Sequence, residues 1–301
     1  MLSKVFSCAL SGIEAYPIDI EVDVSNGLPA VTIIGLADTA IKESKERVKS
    51  AIKNSGFQWP AQRVTISLAP SDIKKEGTGF DLAIALGILC ATEQIIAINL
   101  EHYFILGELS LNGSIRAAKG ILPISMALSG LPIKNIIVPY ENAKEAALVS
   151  ESYAYPVKTL RETVEFLNNP SMIQPYKIDL EELFAHHACY EIDFSEVKGQ
   201  EHVKRALEVA AAGGHNVLMV GSPGAGKTLL ARAMPGILPE MIIEESLDGT
   251  RIYSVADQLP AGTPLIRHRP FRSPHHTISH AGLVGGGNIP KPGEISLAHR
   301  G

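Results

Sequence analysis

The sequence predicts an α/β protein in two parts. An N-terminal α+β domain with a mixed sheet covers residues 1–169, a linker covers 170–190, and an incomplete phosphate-loop α/β domain covers 191–301. Three observations carry this reading. Strand-like alternation, first at Tyr16 to Val24, is interleaved with helical periodicity as far as Asn168, the order of elements expected of an α/β chain. Pro170 to Tyr190 mixes polar, aromatic and proline residues without lasting periodicity and leaves room for one short helix. Beyond it the apolar run Val217 to Val220 ends in Gly221-Ser-Pro-Gly-Ala-Gly-Lys-Thr228 and passes into the helical pattern Leu229, Leu230, Ala231, Ala233. Buried strand, glycine turn and helix thus follow in the order a phosphate-binding loop requires.

The 301 residues are 46% hydrophobic and 20% charged, an ordinary soluble composition with enough apolar matter for two cores. A net charge of −5 excludes a chain that coats nucleic acid by bulk positive charge and leaves local patches open. Cys8, Cys90 and Cys189 are odd in number and far apart, which disfavours a disulfide framework and places the chain in a reducing cytoplasm. The longest apolar run, Leu82 to Ala91, is far short of the roughly 20 residues that span a bilayer, so no membrane span is expected. Val5 to Ile13 faintly imitates a signal peptide but runs straight into a regular strand pattern.

Taken in order, Tyr16, Ile18, Ile20, Val22 and Val24 alternate with acids and give a strand with one buried face. Asn26-Gly27 turns the chain into a second strand, Ala30 to Leu36, as a hairpin. Asp38 or Thr39 caps a helix with Ile41, Val48, Ala51 and Ile52 on one face, Gly56 at its end and a solvated face that includes Arg47. Val64, Ile66 and Leu68 make a third strand, and Asp81 to Thr92 a mostly buried helix. Tyr103 to Leu111 and Ser114 to Arg116 flank the hairpin signal Asn112-Gly113. Pro123 suits the first turn of a helix that stops at Gly130. A strand at Ile136 to Val138 and helices around Glu141 to Ser150 and Thr159 to Asn168 complete the domain.

This order, with Lys75-Glu-Gly-Thr-Gly-Phe-Asp-Leu82, Gly107-Glu-Leu-Ser-Leu-Asn-Gly113 and Ile136-Ile-Val-Pro139, resembles the proteolytic domain of Lon-type proteases, a ribosomal-S5-domain-2-like fold. The resemblance implies a serine and lysine dyad. Lining up Glu76-Gly77 puts Gly79 at the serine position, and lining up Gly-Glu-Leu-Ser-Leu puts Leu122 near the lysine position. Neither supplies a hydroxyl or a base, and Ser71 and Lys119 are out of register, so the protease dyad is expected to be absent. In the linker, His186, His187 and Cys189 stand together without a fourth ligand and read as interface residues, not a metal site.

In the second domain Gly221, Gly224 and Gly226 permit backbone turns that aim N–H groups at an anion. The helix from Lys227 adds its positive dipole end. Ser222, Pro223 and Ala225 complete the cradle, Lys227 is placed to reach the β- and γ-phosphates of ATP, and the Thr228 hydroxyl to ligate Mg²⁺. The turn Phe194-Ser-Glu-Val-Lys-Gly-Gln200, with the helix Glu201 to Ala212 after it, resembles the region of AAA+ ATPases that borders the adenine, which implies Val197, Gly199 and Gln200 at the base and ribose.

Arg269-Pro-Phe-Arg-Ser-Pro-His-His-Thr277, Gly282-Leu-Val-Gly-Gly-Gly287 and Lys291-Pro-Gly-Glu-Ile-Ser-Leu-Ala-His299 make the sequence similar to the magnesium-chelatase-like AAA+ family. The Lon-like domain narrows this to its ComM (YifB) branch. The resemblance implies a ring-forming ATPase, hexameric in this branch, that acts on DNA as a branch-migration helicase in the uptake and recombination of transforming DNA. From Pro260 to Gly301 five basic residues, Arg267, Arg269, Arg272, Lys291 and Arg300, face one acid, Glu294, a stretch suited to following a phosphate backbone. Phe271 reads as a packing anchor.

A working member continues into an apolar strand ending in Asp-Glu, which helps hold Mg²⁺ and activates water. Between Thr228 and Gly301 the nearest imitation is Met241-Ile-Ile-Glu-Glu245, and the sensor residue, arginine finger and helical lid are missing. The expectation is a C-terminally truncated chain that binds ATP and hydrolyses it negligibly, because positioning and charge neutralisation supply nearly all the catalysis in phosphoryl transfer. Three other readings stay open: a Lon-like ATP-dependent protease, a true magnesium chelatase subunit, and a non-enzymatic remnant.

Overall fold

The computed structural model describes residues 1–301 apart from 73, 74, 76, 96–99, 186–189, 191, 260–262 and 287–289. Glu76, His186, His187, Cys189 and Gly287, singled out above, lie outside the described residues. Cα packing divides the chain into Met1–Ile178 and Asp179–Gly301.

The first unit is built on a seven-stranded sheet. Its strands are β1 (Leu2–Ser11), β2 (Glu14–Ser25), β3 (Ala30–Ile34), β4 (Arg63–Ala69), β5 (Tyr103–Ile105), β8 (Asn135–Pro139) and β9 (Tyr153–Val157), in the order β3-β4-β2-β1-β5-β8-β9. A two-stranded ribbon, β6 (Glu108–Leu109) with β7 (Ile115–Arg116), stands apart from it. The parallel pairs are β3 with β4, β1 with β5, β5 with β8 and β8 with β9. The antiparallel ones are β1 with β2 and β2 with β4. This is the mixed α/β architecture the sequence predicts.

Side-chain alternation along β1 separates two cores. Val5 and Ala9 face a large cluster that includes α1 (Thr39–Asn54) and α2 (Asp81–Ala91). Phe6, Cys8 and Leu10 face a second cluster with α3 (Ile121–Ser129), as expected when successive side chains leave opposite faces of a strand. α1 starts as predicted: Asp38 accepts from Ile41 N at 2.8 Å, and Ile41, Val48, Ala51 and Ile52 are buried. In α2 burial extends all round the helix. α4 shortens to Ala143–Ala146 after a 3-10 turn at Tyr140–Asn142, and α5 runs Leu160–Asn168 with Thr159 as its cap.

Several expectations for this unit need correction. The first strand is β1, not Tyr16–Val24. Buried Ser3 and Ser7 interrupt its apolar pattern, and each is satisfied by donating to a carbonyl, Gly87 O at 2.7 Å and Ile105 O at 2.8 Å. Asn26-Gly27 does not close a β2–β3 hairpin, because β4 pairs with β2 on one side and carries β3 on its other. Tyr103 to Leu111 is not one strand, since β5 ends at Ile105 and Gly107 bonds to Gly79 O at 2.9 Å and Leu82 N at 3.0 Å. β9 went unforeseen because Pro156 interrupts it, and an edge strand tolerates a residue without N–H. The predicted linker at 170–190 begins on the first unit, where Tyr176 N donates to Ala154 O at 2.8 Å.

The second unit is mostly helical. It contains α6 (Leu180–Ala185), α7 (Glu201–Gly213), α8 (Lys227–Ala233), α9 (Ile243–Val255), α10 (His280–Val284) and α11 (Glu294–Leu297), with a two-residue pair of β10 (Gly285–Gly286) and β11 (Lys291–Pro292). Val217 to Val220 is not a buried strand. It is extended without ladder partners, and Leu218 and Val220 are 88% and 87% exposed. Among the described residues of this unit no strand lies alongside it to pair with its backbone or cover its side chains. Only Met219 packs, against the cluster Val197, Leu207, Leu230 and Ala233.

Candidate functional site

The turn at Gly221–Gly226 leads into α8 without a side-chain cap, which leaves the first amides of the helix for an anion. Gly224 and Gly226 have φ of +80° and +82°, the left-handed region that glycine enters without strain. Nothing lies within 4 Å of a Cβ built on either, so conformation alone selects glycine there. Gly221 differs from the expectation: its φ is not positive, and a Cβ would only touch Ala225 at 3.8 Å. Ala225 N donates to Ser222 O at 3.3 Å and closes the turn. The Lys227 amine folds back to donate to Gly221 O and Ser222 O, each at 2.8 Å. It therefore sits at the mouth of the turn. Ser222, Pro223 and Thr228 are exposed. A turn with two left-handed glycines, a helix start without a side-chain cap, a lysine at its rim and an accessible hydroxyl together suit the phosphates and metal of a nucleotide.

The turn before α7 is tied to the same core. Val197 is 4% exposed and packs with Leu230 and Ala233 of α8. Gly199 and Gln200 follow with φ of +66° and +62°. This backbone opens α7 from a left-handed residue, and the Gln200 carbonyl accepts from Val203 N and Lys204 N at 2.9 Å each. The structure thus brings Val197, through its packing, onto the helix that carries Lys227.

The basic segment is arranged differently from the expectation. Arg269 pairs with Glu245 at 3.1 Å and donates to Arg300 O at 2.8 Å. Arg300 pairs with Glu245 at 3.4 Å and Asp248 at 3.2 Å, Arg272 pairs with Glu294 at 2.6 Å, and Arg267 donates to Leu183 O. Four of the five basic residues therefore bind partners within this chain. Met241 to Glu245 is not a strand: Ile243 to Glu245 form the first turn of α9, and Glu245 holds two arginines. Phe271 is 42% exposed and is not a packing anchor.

In the first unit the Lon-like positions carry no catalytic side chains. Gly79 meets only Leu106 at 3.9 Å, and Leu122 is fully buried. What the sequence did not reveal is the ion pair beside them. Arg47 donates to Asp81 through Nε at 2.9 Å and Nη2 at 3.2 Å, and Leu109 N donates to the same carboxylate at 3.3 Å. Asp81 is 1% exposed, and burial raises its pKa to about 6 against the opposing pull of Arg47. The helical pattern put Arg47 among exposed charges; only the fold places it over α2.

The fold and the glycine turn define a two-unit α/β protein of the phosphate-loop AAA+ class. Comparison with known proteins makes this more specific. Two family profiles match, "Subunit ChlI of Mg-chelatase" over residues 20–142 and "Magnesium chelatase, subunit ChlI" over 193–301. The chain is 46% identical over 304 residues to uncharacterized protein YifB of Salmonella typhimurium, covering 100% of this chain and 58% of that protein. It is 42% identical over 301 residues to competence protein ComM of Haemophilus influenzae, covering 100% and 59%. It is also similar to Lon protease 2 of Bacillus subtilis, 29% identical over 143 residues, 46% of this chain and 25% of that one. The chain belongs to the magnesium-chelatase-like family, in the branch of the YifB and ComM proteins. It spans slightly under three fifths of the length of those two relatives. Among the described residues no helix is long and apolar enough to cross a membrane.

Proposed function

We propose that this chain carries the nucleotide-binding part of an ATP-driven motor whose whole form works as a cytoplasmic ring, hexameric by family resemblance, and remodels branched DNA during recombination. The observation that carries the reading is the uncapped start of α8 behind the left-handed Gly224 and Gly226, with the Lys227 amine at the mouth of the turn. Amides of the turn hold the phosphate oxygens, Lys227 exchanges its two carbonyl partners for phosphate, and the Thr228 hydroxyl ligates Mg²⁺. Mg²⁺ held there would neutralise charge on the phosphates. Val197, Gly199 and Gln200 form the base and ribose end.

In this reading the chain alone binds ATP without appreciable hydrolysis. Calorimetry of ATP with and without Mg²⁺ tests the reading, together with a phosphate-release assay. Wild type is expected to bind ATP more tightly with Mg²⁺ and to release phosphate at the buffer rate, and Thr228→Ala to lose the Mg²⁺ effect. Binding indifferent to Mg²⁺ in both forms contradicts the assignment of Thr228. The protease reading lacks a hydroxyl at Gly79 and an amine at Leu122.

A further inference from the structure

Phe271 is exposed to 42% and forms a wall of an open cleft of about 400 Å³ that it shares with Arg272, His275, Thr277, Ile278 and Glu294. A half-buried aromatic ring in the wall of a cleft can stack on a planar ligand. Arg272 is fixed inside the cleft. Its Nε and Nη2 donate to the two Glu294 oxygens at 2.6 Å each, and Tyr253 also hydrogen-bonds the guanidinium. The arginine holds the Glu294 carboxyl below its usual pKa, so the pair stays charged on both sides and nearly neutral in sum. His275 Nδ1 and Thr277 Oγ1 are 2.7 Å apart, and the His276 ring lies 4.2 Å from the His275 ring, tilted by 36°. The cleft therefore offers an aromatic face, a rigid planar hydrogen-bonding edge, one imidazole and a hydroxyl.

This set suits a planar heterocycle with polar edges: aromatic rings stack on bases of any sequence, and a guanidinium reads base edges or phosphate. A free nucleotide and a nucleic-acid strand share that chemistry. We propose that the cleft receives one unstacked base of a single-stranded nucleic acid, with Phe271 as the stacking platform and Arg272, positioned by Glu294, at the base edge. The proposal deepens the DNA part of the function proposed above and rests on it. Because the Arg272–Glu294 pair cancels, stacking carries more of the binding than phosphate attraction does.

Fluorescence anisotropy of a labelled oligo-dT strand on the full chain tests this, using wild type, Phe271→Ala, Phe271→Trp and Tyr140→Ala, each checked for an unchanged melting temperature. The expected result is a loss of about five- to tenfold for Phe271→Ala, retained or tighter binding for Phe271→Trp, and no change for Tyr140→Ala, which removes an exposed aromatic of the first unit. In Phe271→Trp with Trp59→Phe, the new indole should be quenched by the strand and not by the same concentration of free thymidine monophosphate. Equal affinity of Phe271→Ala and wild type overturns the proposal, as does a wild type that binds no strand. Quenching by the free nucleotide as strong as by the strand assigns the cleft to a mononucleotide instead. Because ATP calorimetry on wild type and Thr228→Ala reads the phosphate loop separately, failure there leaves this result standing, and the reverse.

Discussion

Asp81 shows how one buried charge ties three elements together. It lies at the start of α2, its carboxylate takes two bonds from Arg47 of α1, and it accepts from Leu109 N of β6. Its pKa of about 6 when folded lies above an unfolded value of about 3.9, so the folded state binds the proton more tightly. The stabilisation this brings is full below about pH 4 and is lost as pH rises through about 6. Urea unfolding followed by circular dichroism between pH 4 and 7 should show this part of the pH slope, and Asp81→Asn should flatten it. Arg47→Ala leaves the carboxylate unpaired, with an expected cost of about 2–4 kcal/mol at pH 7.5 and distinctly less at pH 5. An equal cost at both pH values contradicts the assigned titration. None of this was readable beforehand, because helical periodicity tells which face of α1 is polar but not which polar residue another element will cover.

At the level of elements, α1 and the run Val217 to Val220 mark the two ends of legibility. In α1 the cap, the apolar face and the stop are all local signals, and the structure keeps them. Asp38→Ala should cost about 1 kcal/mol, measured as a shift in the urea midpoint, since it removes both the bond from Ile41 N and one from Gly77 N at 3.2 Å. The partners of a strand, by contrast, are not local. Asn26-Gly27 has hairpin chemistry, yet β4 takes the place beside β2. Val217 to Val220 has strand composition, yet no ladder forms among the described residues. Leu218→Ala separates the two possibilities: a buried leucine would cost about 2–5 kcal/mol, whereas one 88% exposed should leave the melting temperature within about 1–2 °C. The glycine turn was legible because its geometry depends on residue type at fixed spacing, although only Gly224 and Gly226 use the freedom that three glycines suggested.

For the whole molecule, the first unit has two cores packed on a seven-stranded sheet and the second a small one under α7 and α8. Met1–Ile178 made alone is expected to unfold cooperatively with the near-ultraviolet dichroism of a packed core; a broad, non-cooperative transition contradicts its standing as an independent unit. Family membership was readable from the motifs of the second half together with the order of elements in the first. The use of the basic segment was not, because sequence lists charges and the fold decides which of them face each other. Nucleotide binding at the glycine turn is best tested by titrating a fluorescent ATP analogue with Mg²⁺ against wild type and Lys227→Ala. Saturable binding by wild type, weakened at least about tenfold in the variant as a charge-assisted contact is lost, is the result predicted. Equal affinity in the two, or no binding by wild type, contradicts it.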